Sequence, residues 1–224
     1  MSRPVKFNWT TMDVSAVCVS QATAGAGALI INGTLATKND AENRTAIFEG
    51  LERTVSIRST VDLSAISFTI TGTLRGAVVS QTRLGPNATT EYTTQNFTTV
   101  TSVTVNGAVA NASIGSGNTG STFWFLSDYH RSHNALNVSV FAVASLTYTF
   151  ETTLDDISTV VNPVVWFPID GVTIPVIPAG GDMINATASA MANYTIPTRF
   201  SRIKVTASDA TGDAEIYFLQ QGVL

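Results

Sequence analysis

The sequence predicts an all-β protein, made of two antiparallel β-sandwich-like domains. Three observations carry that expectation. First, apolar residues alternate with Ser and Thr in run after run: Ile66, Phe68 and Ile70 in "SAISFTITGT", Leu146, Tyr148 and Phe150 in "LTYTFETT", Ile216 and Phe218 in "AEIYFLQQG". Strict alternation puts one apolar set on one face of a half-buried strand, a surface that β-branched and aromatic side chains suit. Second, turn clusters ("NGT", "GPNATT", "NGAVANA", "SDATGD", "PAGGD") separate these runs, as in a chain of short antiparallel strands. Third, helix signals are scarce. The best is "KNDAENRTAIFEG", where Asn39 or Asp40 would cap a short turn that stops at Gly50.

Composition narrows the function. The chain has 224 residues, enough for one large β domain or two smaller ones, each with a real core. Charged residues are 12% of it, about half the usual share of roughly 25%, and Thr occurs 33 times. A free monomer usually keeps more charge, so much of this bland surface is expected to be covered by neighbouring subunits. The net charge is −4 and no basic cluster reaches five residues, so no electrostatic footprint for nucleic acid exists. No apolar run is long enough for a membrane-spanning helix, and "MSRPVKFNWTTMDVSAVCVS" lacks the apolar core of a secretory leader. The single cysteine, Cys18, is expected as a small buried hydrophobe. Nine Asn-X-Ser/Thr triplets read as chance in a chain rich in Asn and Thr.

Along the chain, "RTVSIRSTVDLSAISFTITG" (Arg53–Gly72) and "RIKVTASDATGDAEIYFLQQG" (Arg202–Gly222) share an Arg-strand-turn-strand-Gly pattern. Their apolar positions are one residue out of phase, and such a slip would flip every side chain. Gly85-Pro86-Asn87 reads as a turn, Pro86 presetting φ and Asn87 tolerating the left-handed region. Phe97, Val100, Val103 and Val105 offer a core face with a bulge where the alternation breaks. "GSGNTGS", Gly115–Ser121, has a linker's composition and divides the chain into an N-terminal β domain over 1–116 and a C-terminal β-sandwich over 121–224. Beyond it, "STFWFLS" and "NVSVFAV" read as strands joined by "SDYHRSHNALN". Asp155 and Asp156 close a strand, and Trp166 and Phe167 supply an apolar anchor. The three prolines of "FPIDGVTIPVIPAGG" belong on an edge strand or an extended connection.

Two stretches, Arg53–Gly107 and Leu146–Gly222, together resemble small β-structural proteins encoded among the virion genes of tailed bacteriophages. "FTITGT", "GPN" and "F-x-TVTSVTV" carry the likeness in the first. "YTFETTLDD", the following "VVWF" and the closing "QQG" carry it in the second. The resemblance implies a non-enzymatic component of a virion, assembled in the host cytoplasm as a capsid decoration (cement) protein or a neck or tail accessory. Its partners would be copies of itself and other virion proteins, with no cofactor, nucleic acid or membrane. A receptor- or glycan-binding module on a tail or fibre is the alternative. The first 50 residues lie outside the resemblance.

Few residues suggest chemistry. Gly115 to Gly120 spell GxGxxG, but a dinucleotide fingerprint needs a strand before and a helix after it, and here an aromatic strand-like run follows. Asp155 and Asp156, with Glu151, offer too few oxygens for calcium, which takes six to eight. Neighbouring acids on a strand face opposite ways, so they are no glycosidase pair. Ser, His130 and Asp128 lack a nucleophile elbow and an oxyanion hole, so no catalytic residue is expected. His130 and His133 stand three apart and meet only in a turn, where Asp128 makes three ligands at best, so no metal is expected. The candidate interaction loop is therefore Asp128, Tyr129, His130, Arg131 and His133, a polar cluster on a bland surface. Trp124 is the candidate aromatic contact. Packing of alternate members of Phe123, Trp124 and Phe125 into the core is the competing expectation there.

Overall fold

The computed structural model describes residues 4–38, 44–127, 136–142, 145–154, 167–168, 183–194 and 199–220. Every helix or strand element among them is a strand. In chain order these are β1 (Val5–Trp9), β2 (Cys18–Thr23), β3 (Gly27–Leu29), β4 (Ala36–Lys38), β5 (Arg44–Ile47) and β6 (Leu51–Arg58). Next come β7 (Ser67–Leu74), β8 (Ala77–Leu84), β9 (Thr90–Tyr92), β10 (Thr99–Val105), β11 (Val109–Thr122) and β12 (Phe125–Leu126). Last are β13 (Leu136–Ala142), β14 (Leu146–Thr153), β15 (Phe167–Pro168), β16 (Ala190–Tyr194), β17 (Phe200–Ser208) and β18 (Ala214–Gln220). The fold is all-β, with antiparallel pairing of β1 with β18, of β7 with β8 and β10, of β13 with β18 and of β14 with β17. Of the stretch expected to form a short helical turn, residues 39–43 lie outside the described residues, and Arg44–Ile47 is the strand β5.

The chain separates into two compact units, Met12–Gly120 and a second formed by Met1–Thr11 with Ser121–Leu224. This corrects the expected linker. Gly115–Ser121 lies inside β11, a strand of 14 residues whose Gly115, Ser116 and Gly117 are buried. The glycines are there for close approach, not for flexibility. A Cβ on Gly117 would strike the Thr54 hydroxyl and backbone, and one on Gly120 would strike the Glu52 carbonyl. The first eleven residues also group with the C-terminal unit rather than the N-terminal one.

In the Met12–Gly120 unit, one sheet runs β4-β5-β10-β7-β8, with β3 also on β10. β7 follows its alternation, with Phe68 and Ile70 fully buried. Its polar face pairs hydroxyl to hydroxyl: Thr69 with Thr82 at 2.8 Å, Thr71 with Ser80 at 3.0 Å, and Thr73 with Thr99 at 2.7 Å. Such cross-strand pairs stabilise a sheet and account for part of the Thr content. The β7–β8 hairpin turns through Arg75 (φ 53°) and Gly76 (φ 80°), the two positive values that a type I′ turn needs to match strand twist. The expected bulge is present in β10, where the register with β7 shifts between Val100 and Ser102. Gly72 lies opposite it, so close to the Thr99 carbonyl that no Cβ fits. At Gly85-Pro86-Asn87 the left-handed residue is Ala88 (φ 49°), one position later than expected, and Asn87 instead bridges to Asp62.

The second sheet of this unit places β11 between β2 and β6, with β9 beyond β6. β6 is buried from Leu51 to Ile57 and only Arg58 is exposed. Val55 and Ile57 pack on one face with Arg53, whose Nη2 donates to the Gly117 carbonyl at 2.6 Å. Burial pulls the Arg53 guanidinium down to about 10. On the other face, Glu52 accepts a bidentate pair from Arg75, Nε to Oε1 at 2.7 Å and Nη2 to Oε2 at 3.0 Å.

In the other unit, one sheet runs β1-β18-β13-β16. The second pairs β15, β14 and β17 in that order, with β12 also on β17. Among the described residues proline-bearing β15 lies at the edge of this sheet, a place where a missing N–H is tolerated. Phe218 of β18 is the hub of the core. Phe125 stacks on it with centroids 5.4 Å apart, Phe7 meets it edge-on at 5.9 Å, and Phe150 lies at 6.4 Å. Residues Val5–Trp9 are therefore a strand of this core, with Trp9 buried and its indole N–H directed to Ser208 Oγ at 3.4 Å.

Candidate functional site

Of the residues singled out in the sequence, Asp128, Tyr129, His130, Arg131 and His133 lie outside the described residues, as do Asp155, Asp156 and Trp166. Trp124 is described. It is half-buried and stacks on Phe123, with centroids 6.3 Å apart and planes at 30°. Strand alternation does not bury one of these two, because the strand begins only at Phe125. Phe123 and Leu126 are exposed, so a small aromatic-apolar patch results. Glu151 does not serve a loop of acids: Arg202 donates to its Oε2 at 2.7 Å, and Lys204 lies 3.5 Å from Oε1.

Cys18, Tyr148 and Asp13 are also committed to structure. Cys18 is buried, and desolvation pushes its thiol up to about 12, which keeps it protonated and unreactive. Tyr148 is likewise pushed up to about 12 by burial, and its hydroxyl donates to the Ala188 carbonyl at 2.7 Å. Asp13 accepts from the Ser15 N–H and hydroxyl, both at 2.8 Å. Among the described residues, no group of three or more His, Cys, Asp or Glu is placed to hold a metal ion.

A concave site lies in the Met12–Gly120 unit. It is a cleft of about 420 Å³, open to solvent and lined by Val14, Ser15, Ser20, Arg58, Thr60, Asn111 and Ser113. Three strands build it. β6 ends there with Arg58, the one exposed residue of an otherwise buried strand. β11 supplies Asn111 and Ser113, and β2 supplies Ser20 from the edge beside it. The register of β11 against β2 shifts between Val109 and Ala112, and Asn111 sits in that bulge with φ 53°. Asn is among the few residues that enter this region readily, and bulges re-aim side chains. No carboxylate among the described residues pairs with Arg58. No local motif announces this site, since its residues meet only through sheet register.

Compared with protein-family models and with curated proteins, the chain matches neither.

Proposed function

We propose that the chain is a non-enzymatic structural component of a bacteriophage virion, a capsid decoration protein or a neck or tail accessory. It works by packing against copies of itself and against other virion proteins. The observation that carries this reading is the outward face of the β1-β18-β13-β16 sheet. There Phe141 is 49% exposed and Met191 40% exposed on regular strands, and Phe141 meets the Tyr217 ring edge-on at 5.9 Å. Apolar side chains held in register on a sheet face present a preformed contact surface, as protein–protein interfaces do. The likeness of Arg53–Gly107 and Leu146–Gly222 to phage virion proteins supports the same reading. Mass spectrometry of purified particles is the test. The chain is expected at stoichiometric abundance, reduced by Phe141→Asp, and its absence from intact virions would overturn the reading.

A second reading, a glycan- or receptor-binding module on a tail or fibre, is favoured by the stack of exposed Phe123 on half-buried Trp124, with Leu126 exposed nearby in the chain. Glycan-array binding lost on Trp124→Ala would promote it over assembly.

A further inference from the structure

We propose that the cleft at Arg58 binds an acidic sugar residue, with the guanidinium taking the carboxylate and the surrounding hydroxyl and amide side chains taking ring hydroxyls. This goes beyond assembly and concerns a different unit of the chain from the Phe141 face.

The lining selects the ligand class. Arg58 stands at the cleft without an ion-pair partner among the described residues, in a chain with only 12 Lys and Arg. Arg75, Arg83 and Arg202 by contrast each pair with a glutamate. A planar guanidinium matches a carboxylate bidentately, and such charge-assisted bonds are the strong ones. The remaining polar groups, Ser15, Ser20, Thr60, Asn111 and Ser113, both donate and accept, which suits hydroxyls that do the same. The Ser15 hydroxyl already donates to Asp13, so it faces a ligand as an acceptor. Asn111 is turned by the bulge at a backbone conformation that few residues adopt.

The alternatives fit less well. No aromatic ring lines the cleft to stack a nucleobase, and no carboxylate lines it to hold a cation. Val14 is the one apolar side chain in the lining, whereas pockets for hydrophobic ligands carry mostly apolar and aromatic ones.

The test is titration of the full chain with D-glucuronate, D-glucose and acetate, each to about 10 mM, a range suited to a millimolar site. Backbone amide shifts are read by NMR. Glucuronate is expected to give saturable shifts confined to residues 14–20, 58–60 and 111–113, with glucose and acetate at least about tenfold weaker. Arg58→Gln should weaken glucuronate about tenfold, and Asn111→Gly, which keeps the backbone conformation, should weaken it less. Both variants should melt close to the parent, since both side chains are exposed. Equal binding of acetate would reduce the site to a bare anion contact and overturn the proposal. So would equal binding of glucose, unchanged binding by Arg58→Gln, or no saturable shift with glucuronate.

Discussion

Strands β6 and β8 belong to the same unit, have the same length and carry similar numbers of polar residues, yet they end in opposite environments. β6, "LERTVSIR", is buried at every position but the last. β8, "AVVSQTRL", is buried at none. Position in the sheet makes the difference. β6 has a strand on each side, β11 and β9, and its Glu52 and Arg53 find partners far along the chain. Among the described residues β8 is an edge, paired to β7 alone. It turns Gln81 and Arg83 toward the side that Ile70 and Phe68 share, and polar side chains aimed inward are a recognised guard against edge-to-edge pairing. Gln81 Oε1 also accepts from the backbone N–H groups of Thr94 (3.0 Å) and Gln95 (2.9 Å). Polarity therefore does not decide burial here; partner supply does.

The sharpest way to break this contrast is at the tip of the hairpin that ends in β8. Arg75 is a partly exposed turn residue, but it neutralises Glu52, which is 2% exposed. Arg75→Ala should cost about 3 kcal/mol, because it takes the bidentate guanidinium partner from a buried carboxylate. Glu52→Ala should cost less, since the guanidinium left behind can turn to solvent. Urea unfolding of both single variants and the double variant measures the coupling, and additive costs would show that the pair is not coupled. Gly117→Ala should come next, at about 2 kcal/mol, because its new methyl meets the Thr54 hydroxyl and backbone. Val78→Thr and Leu84→Thr on β8 should each stay within about 0.5 kcal/mol, since these side chains are 78% and 62% exposed. A loss larger than that of Gly117→Ala would mean that β8's outer face is not solvated.

The same contrast explains what the sequence showed and what it hid. Period-two alternation gave β7 correctly, with Phe68 and Ile70 inside and Thr outside, because one face of β7 is solvated. It also located the bulge after Val100, where the alternation itself breaks. In β14 the apolar set was right, but Thr149, Glu151, Thr152 and Thr153 are buried as well. Alternation cannot reveal a second covered face when polar partners such as Arg202 satisfy it. Gly115–Ser121 misled for a related reason. Small residues read as flexible when alone, yet here they admit the backbone of β6. The pairing of β1 with β18 joins residues about two hundred positions apart, and the Arg58 cleft draws on three separate strands. Neither leaves a local trace, because register is a property of the assembled sheet.

A solvent-exposed pair offers the finest test. Lys6 Nζ lies 2.6 Å from Glu215 Oε1 on the exposed face of β1 and β18, and over the Tyr217 ring at 5.4 Å. The hydrogen bond to Glu215 raises the Lys6 pKa, and the hydrogen bond from Lys6 lowers that of Glu215, with Tyr217 assisting both. The lowered carboxyl contributes stability that is present above the ordinary glutamate range and is lost as pH falls through the folded value. The raised ammonium contributes stability that is present below the ordinary lysine value and is lost as pH rises through the folded one. The pair therefore acts over the whole neutral range and fades at both ends, weakly throughout because solvent and salt screen it. In Lys6→Met, the Glu215 carboxyl followed by NMR should titrate at higher pH than in the parent, and added salt should narrow the gap. An unchanged titration would mean that the Tyr217 hydroxyl, which donates to Glu215 Oε2 at 2.8 Å, holds the carboxylate without the lysine. The exposed ion pair would then be incidental, whereas the buried pair of Glu52 and Arg75 would still be required.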